Sequence, residues 1–231
     1  MDIPHVSLKH SVAEADMAHP NESFIAVANQ LISIGQAFYD RGWVFGTSGN
    51  LSAVLSRDPL RLLITASGAH KGTMTLESFV QIDERCELLA GQQRPSAESL
   101  IHLAIISEYG AAAVLHTHSV WATILSKRLA TSGGLTISGY EMLKGLSDVR
   151  THEHEEWVPI LENSQDYSVL SNLVLQTLKR NRKIHGILLS GHGLYTWGKS
   201  IEEAKRHVEI LEFLFEVVGR QHHATIDLQE A

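Results

Sequence analysis

Two histidines separated by one residue, His116 and His118, end an apolar segment with the character of a β-strand. Side chains two positions apart on a strand point to the same face, so both imidazoles can reach one ion. Catalytic zinc sites usually take three protein ligands and leave a position open for water or substrate. The best candidate for the third ligand is His192, which lies between two glycines directly after another apolar segment. The sequence therefore predicts one metal site, with zinc as the expected ion, although each motif alone also occurs in ordinary strands and loops.

Two glutamates are candidates for the proton transfers that a metal-assisted reaction needs. A carboxylate that is not a metal ligand can exchange protons near neutral pH when burial or neighbouring charges raise its pKa. Glu98 begins a predicted helix, and Glu141 lies in a short segment bounded by glycines. The ordinary explanation for Glu98 is a favourable interaction with the helix dipole. Both residues therefore stay open as the acid or base.

Three short polar segments have the composition of anion-binding loops, at residues 47–50, 67–72 and 95–96. Each supplies backbone N–H groups, hydroxyl groups or both, and loops and helix N-termini bind phosphate through such donors. Lys71 would add a positive charge to the second segment. A single loop of this kind is usually only a turn, so each segment is a candidate and no more.

The elements that must position these residues follow from the spacing of apolar residues and from turn signals. Helices are predicted over 24–41, 95–109, 120–129, 166–179 and 201–218, and strands over 51–55, 62–65, 112–117, 158–161 and 184–190. Strands and helices interleave without the regular order of a doubly wound parallel sheet. We therefore expect an α/β fold with a central mixed, largely antiparallel sheet flanked by helices.

The length of 231 residues suits one hydrophobic core, so we expect a single domain over residues 21–231. Residues 1–20 are polar and lack periodicity, which predicts an N-terminal arm. The sequence contains no internal repeat and no linker that would divide the domain.

The composition argues against some classes of binding partner. The formal net charge of −7 argues against a broad surface for nucleic acid, which would need clustered Lys and Arg. No segment approaches the roughly 20 apolar residues that span a membrane. Cys86 is the single cysteine and cannot form an intramolecular disulfide, and the N-terminus has no basic segment leading into an apolar one. A cytoplasmic protein without nucleic-acid or membrane partners is the expectation.

The other histidines fit simpler explanations. His152 and His154 repeat the one-residue spacing but stand among glutamates, which favours a solvated surface. His102 lies on a predicted helix and His185 at the start of a strand, and we expect both to be structural or exposed.

Several motifs resemble the class II aldolase/adducin family in order and spacing over roughly residues 24–218: residues 46–52, 65–68, 95–98, 116–119 and 191–193. The resemblance implies a homotetramer with active sites at subunit interfaces and one zinc ion per subunit on His116, His118 and His192. It also implies that the substrate is a sugar phosphate. The positions that match the family's phosphate-binding residues are Gly49, Asn50, Ser67, Gly68 and Ser96, whereas Ala97 replaces a serine that is common in the aldolases.

Residues 67–72 and 140–145 are most similar to a dehydratase subgroup of this family, whose substrate is a methylthio-substituted ketose phosphate. That similarity favours Glu141 as the acid or base, whereas Glu98 matches the acid/base glutamate of the aldolases. Aldol cleavage or epimerisation of a sugar phosphate is the alternative reaction. A non-catalytic, adducin-like interaction module is the alternative from another class, but the three histidines disfavour it.

Overall fold

The computed structural model describes residues 22–227, and its centre is a nine-stranded sheet. The strands are β1 (Asn50–Arg57), β2 (Leu60–Thr65), β3 (Phe79–Ile82), β4 (Leu88–Ala90), β5 (Ala113–Thr117), β6 (Gly134–Ile137), β7 (Glu156–Leu161), β8 (Gly186–Leu189) and β9 (Gly193–Gly198). They lie in the order β4-β3-β2-β1-β5-β9-β8-β7-β6. Only β7 and β8 pair in parallel, and the other neighbouring pairs are antiparallel. The mixed, largely antiparallel sheet that the sequence predicts is confirmed.

Five α-helices cover the two faces of this sheet: α1 (Glu22–Asp40), α2 (Ser99–Tyr109), α3 (Val120–Arg128), α4 (Tyr167–Arg180) and α5 (Ile201–Asp227). Helices α2 and α4 pack together and share one apolar cluster with the sheet. Helices α1, α3 and α5 contribute to the clusters on the other face. The part of the chain that the structure describes contains no helix long and apolar enough to cross a membrane.

Strand β5 shows how the core divides between the two faces. Val114 joins the cluster under α2 and α4, whereas its neighbours Ala113 and Leu115 join the cluster on the α1 side. Burial of each large apolar side chain of this kind contributes about 1.5–3 kcal/mol to folding. Because side chains alternate along a strand, His116 lies on the α2 face and Thr117 on the α5 face. The core therefore fixes which way each residue at the end of β5 points.

Local sequence signals explain where the helices near the site begin and end. Helix α2 ends at Tyr109 and is capped by Gly110, whose φ of 62° is the left-handed conformation that favours glycine. Helix α3 begins after Ser119, whose side chain accepts a hydrogen bond from the Ala122 N–H. The 95–109 segment is helical from Ser99, so Glu98 stands directly before the first turn.

Four strands were not predicted, namely β3, β4, β6 and β9. They have three to six residues, and all six residues of β9 are buried. Strand β9 is covered on both faces and therefore lacks the polar–apolar alternation on which sequence-based prediction depends, and the other three strands are too short to show it. The predicted arm, residues 1–20, lies outside the described residues.

Candidate metal centre

The three histidines come together at one end of the sheet. His116 lies at the end of β5 and His118 directly follows this strand, whereas His192 lies in the tight turn between β8 and β9. The His118 Nε2 atom lies 2.7 Å from that of His116 and 3.0 Å from that of His192, and the remaining Nε2–Nε2 distance is 3.2 Å. This is the one group of three or more His, Cys, Asp or Glu residues among residues 22–227 that could hold a metal ion.

Two glycines allow the backbone segments around the histidines to approach this closely. A Cβ atom at Gly193 would lie 2.0 Å from the carbonyl oxygen of Thr117, so any side chain there would push β9 away from β5. Gly49 has a φ of +71°, and a Cβ atom there would lie 2.5 Å from the carbonyl oxygen of His116. Glycine is therefore required at both positions for the site to form.

The imidazoles present lone pairs rather than charges to the centre of the group. The Nδ1–H of His116 donates to the carbonyl oxygen of Leu194 at 2.8 Å, which leaves its Nε2 free as a ligand. Burial and then the neighbouring imidazoles lower the pKa of His116 well below its usual range. Burial also lowers the pKa of His118 to about 3 and lowers that of His192.

The donor set fits a divalent cation. Nitrogen atoms that share a tetrahedral zinc ion at about 2.0–2.1 Å lie roughly 3.3 Å apart, and the nitrogens here are 2.7–3.2 Å apart. Neutral imidazoles are the form that binds such ions. The structure thus supplies three ligands of the right type around one point.

Glu98 is the carboxylate beside the triad. Its Oε2 lies 3.4 Å from His116 Nε2, and its Oε1 lies 3.3 Å from His192 Nε2. Asn50 Nδ2 donates a 2.5 Å hydrogen bond to Oε2. Although Glu98 stands at the N-cap of α2, its side chain makes no capping hydrogen bond. The dipole explanation therefore does not account for where this carboxylate points.

Glu141 has a different position. It begins a short 3₁₀ helix, Glu141–Gly145, and its side chain is 69% exposed. Its carboxylate pairs with Lys144 and lies 3.5 Å from His152. The hydrogen bond from Lys144 lowers the pKa of Glu141. Within a single chain, the structure does not pair Glu141 with the triad.

The three predicted phosphate segments are joined to one another. Lys71 is 2% exposed, and its ammonium group donates to the carbonyl oxygens of Thr47 (3.0 Å) and Ala69 (2.8 Å). Burial lowers the pKa of Lys71 to about 8. Asn50 also donates to Ser96 Oγ at 3.0 Å, which connects the first segment to the third.

Two of the predicted phosphate positions face solvent. Ser67 and Gly68 are exposed at the end of β2, and Gly68 has a φ of 78°. The Ser67 N–H donates to the carbonyl oxygen of Arg94 at 2.9 Å, which holds this loop against the segment that leads to Ser96. Lys71 therefore connects the first two loops on their buried side. Ser67, Gly68 and the half-buried Ser96 form the outer surface of the loops.

Sequence reasoning missed Tyr195 because β9 was not recognised. Its ring stacks on His116 with centroids 3.8 Å apart, and it lies directly opposite His116 in the β5–β9 pairing. Its hydroxyl group is buried without a hydrogen-bond partner among the described residues. Burial and then Glu98 raise the pKa of Tyr195 well above its usual value. The aromatic and β-branched residues Tyr195, Thr196 and Trp197 were the signal for a strand.

Glu212 on α5 was also missed. It accepts a 2.5 Å hydrogen bond from the Thr117 hydroxyl group, on the face of β5 opposite the triad. Burial raises its pKa to about 7.

The second pair of histidines differs in part from the expected solvated surface. His152 has a side chain that is 52% exposed. His154 is only 30% exposed, because its Nε2 lies 2.8 Å from the buried Glu156 carboxylate. His185 contacts the same carboxylate at 3.0 Å and has a structural role, as predicted.

Comparison with known proteins gives concordant family and fold relationships. Residues 29–218 match the family described as Class II Aldolase and Adducin N-terminal domain. Methylthioribulose-1-phosphate dehydratase from Methylococcus capsulatus is 42% identical over 196 residues, which cover 84% of this chain and 94% of that protein. The protein of the same name from Pseudomonas aeruginosa strain PAO1 is 42% identical over 197 residues, covering 85% and 95% of the two chains.

Solved structures support the same fold. An L-fuculose 1-phosphate aldolase superposes with a TM-score of 0.72 at 20% identity over 90% of each chain. The L-fuculose-1-phosphate aldolase of Thermus thermophilus gives a TM-score of 0.71 at 22% identity over 87% of this chain and 98% of that one.

Proposed function

The chain belongs to the class II aldolase and adducin family, and we propose that it is a hydro-lyase that removes water from 5-methylthioribulose 1-phosphate. The product is 2,3-diketo-5-methylthiopentyl 1-phosphate, an intermediate of methionine salvage. The observation that carries this proposal is the convergence of three neutral imidazoles with a carboxylate 3.3–3.4 Å away. The 42% identical relatives named for this reaction supply the substrate.

We assign a zinc ion to His116, His118 and His192, one per subunit. When bound, zinc supplies Lewis acidity that polarises the C2 carbonyl of the substrate and makes the C3 proton easier to remove. The chain's own part is to keep the three imidazoles neutral and oriented. The hydrogen bond from His116 Nδ1–H to the Leu194 carbonyl oxygen orients His116, and burial keeps its imidazole neutral.

The substrate phosphate belongs at the outer surface of the three joined loops. Ser67, Gly68 and Ser96 offer hydroxyl and backbone N–H groups there, with Gly49 and Asn50 beneath them. The Lys71 ammonium donates to two backbone carbonyls, so one of its three N–H groups remains to face an anion. Binding the phosphate in this way fixes the distance between C1 and the triad.

Dehydration needs one proton removed from C3 and one delivered to the C4 hydroxyl group, which departs as water. The resulting enol then tautomerises to the diketone. Glu98 is the carboxylate beside the triad in the same chain, so we assign it the removal of the C3 proton. We assign the proton delivery at C4 to Glu141 of a neighbouring subunit, because its carboxylate is 69% exposed and the family resemblance puts active sites at subunit interfaces.

A homotetramer is part of this proposal. Phe45 and Val120 are 63% and 64% exposed, and both lie on segments that hold His118. Trp43, two residues before Phe45, accepts the His118 N–H through its carbonyl oxygen at 2.7 Å. Large apolar side chains beside a site are typical of surfaces that another chain covers. A neighbouring copy would bury them and complete the pocket.

Aldol cleavage or epimerisation of a sugar phosphate is the second candidate, and the position of Glu98 favours it. The same donor set and carboxylate serve either reaction, with a different bond broken. The non-catalytic interpretation is disfavoured, because an interaction module has no need of three converging neutral imidazoles.

The test is to give zinc-loaded protein 5-methylthioribulose 1-phosphate and follow the product by mass, with His116→Ala as the control. We expect the loss of one water, which the variant does not produce. Unchanged methylthio sugar together with cleavage of L-fuculose 1-phosphate would establish the aldolase instead.

A further inference from the structure

His102 on α2 is a fully buried histidine outside the triad, and both of its ring nitrogens are occupied. Its Nδ1 lies 2.7 Å from Ser52 Oγ, and its Nε2 makes a short contact with Asn50 Oδ1. Asn50 in turn donates to Glu98 Oε2 at 2.5 Å. A continuous chain of hydrogen bonds therefore leads from Ser52 to the carboxylate beside the triad.

The direction of each hydrogen bond in this chain follows from the groups at its end. Both Glu98 Oε2 and Ser96 Oγ contact the Asn50 Nδ2 atom, and a carboxylate oxygen can only accept. Nδ2 must therefore point toward Glu98, which leaves Oδ1 facing His102 as an acceptor. The single proton of neutral His102 is then on Nε2, and Nδ1 accepts from the Ser52 hydroxyl group.

We infer that His102 is a positioning residue for Glu98, acting through the orientation of the Asn50 side-chain amide. This rests on the proposed function only in giving Glu98 a place in the reaction. If the amide rotated by half a turn, Oδ1 would face the Glu98 carboxylate and Nδ2 would face the Nε2–H of His102. Both contacts would be repulsive, so the His102 proton selects the orientation that holds Glu98.

Strand pairing connects this chain of hydrogen bonds to the metal centre. Asn50 pairs with His116 across β1 and β5, and Glu98 Oε2 lies 3.4 Å from His116 Nε2. The ring of Tyr195 stacks on His116 and meets His102 edge-on, with centroids 5.8 Å apart. His102 therefore cannot tilt without disturbing the ring that supports His116. Residues that hold a metal-site group in this way typically contribute about 10- to 100-fold to activity.

A double-mutant cycle separates positioning from a general structural role. We expect His102→Leu to lower kcat by about 10- to 100-fold with little change in KM. If His102 acts through Asn50, the Asn50→Ala/His102→Leu double variant is no slower than Asn50→Ala alone. His102→Gln, which keeps a donor near the Nε2 position, should recover part of the lost rate. Losses that multiply in the double variant would overturn the inference.

The matched control is His207→Leu. It removes a buried neutral histidine of α5 that contacts the end of β9 farthest from the triad. Its Nδ1–H donates to the Trp197 carbonyl oxygen, and burial lowers its pKa to about 4. We expect this variant to lose stability while the folded protein keeps its kcat. An equal loss of kcat in both variants would assign the His102 effect to destabilisation and overturn the inference.

Imidazole ¹⁵N NMR on the metal-free protein gives a readout that does not depend on activity. We expect His102 to be neutral with its proton on Nε2, and Ser52→Ala to shift the Nδ1 resonance. A proton on Nδ1 would overturn the inference whatever the kinetics show. Wild-type protein that is inactive toward the methylthio sugar, but keeps the Nε2–H form, would reject the proposed function and leave the role of His102 supported.

Discussion

The phenol ring of Tyr195 lies parallel to the imidazole of His116, with centroids 3.8 Å apart and an interplanar angle of 11°. The two residues face each other across β5 and β9, so the sheet itself sets the plane of the imidazole. The ring makes the direct contact with His116, whereas the buried hydroxyl group lies near the Glu98 carboxylate without good hydrogen-bond geometry to any of residues 22–227.

Tyr195→Phe should therefore leave the free energy of unfolding within about 1 kcal/mol of the wild type. Tyr195→Ala removes the ring and should cost about 3–5 kcal/mol, as other deletions of buried aromatic side chains do. Urea denaturation of the metal-free proteins measures both. A loss of several kcal/mol in the Phe variant would show that the hydroxyl group has a partner that matters.

His116→Ala should abolish stoichiometric metal binding and lower kcat by about 10³-fold or more, because Lewis acidity contributes several kcal/mol to such reactions. Metal content by elemental analysis and turnover by product mass are the measurements. The control is His154→Ala, at a histidine that contacts Glu156 instead of the triad. Retention of one ion by His116→Ala would remove this residue from the ligand set.

Mixed assemblies test whether Glu141 works on a neighbouring subunit. Glu141→Gln and His116→Ala should each be nearly inactive as pure proteins. In co-expressed mixtures, about one site in four should combine an intact triad with an intact Glu141 from the adjacent chain, and activity should return to about a quarter. Mixtures that stay inactive would contradict the assignment to a neighbouring subunit, and full activity of pure Glu141→Gln would leave Glu98 as the acid or base.

Glu212 should make stability fall as the pH rises. Burial raises its pKa from 4.5 to about 7, so between these values the folded protein binds more protons than the unfolded chain. The free energy of unfolding then decreases through this window, by about 3 kcal/mol in total. Glu212→Gln cannot titrate, so the difference between wild type and variant should follow this slope in urea denaturation from pH 4.5 to 7.5. Parallel pH profiles would contradict the raised pKa.

The triad was accessible to sequence reasoning because each of its motifs is local. The His116–His118 spacing and the glycines around His192 follow from strand and turn geometry, and the structure brings all three residues together. The mixed sheet followed from the order of the elements. The sequence also predicts both carboxylate candidates, but its spacing does not distinguish the surface position of Glu141 from the buried position of Glu98.

The residues that support the site were not accessible in this way. His102 and Tyr195 owe their roles to pairings between β1, β5 and β9, which join segments far apart in the sequence. Strand β9 is short and buried on both faces. Because glycines stand at its start, its sequence was read as part of a loop. His102 was expected to be structural or exposed, and its contacts with Ser52 and Asn50 are the basis of the positioning role that we infer for it.

The triad joins parts of the chain that are distant in sequence, since His118 and His192 are 74 residues apart. An ion held by both would cross-link these segments in the folded state, and its binding free energy would stabilise that state. Unlike a disulfide, this cross-link is lost when too little metal is available to fill the site. Metal starvation would then shorten the lifetime of the protein against proteolysis as well as stop its chemistry, because an apoprotein opens more often.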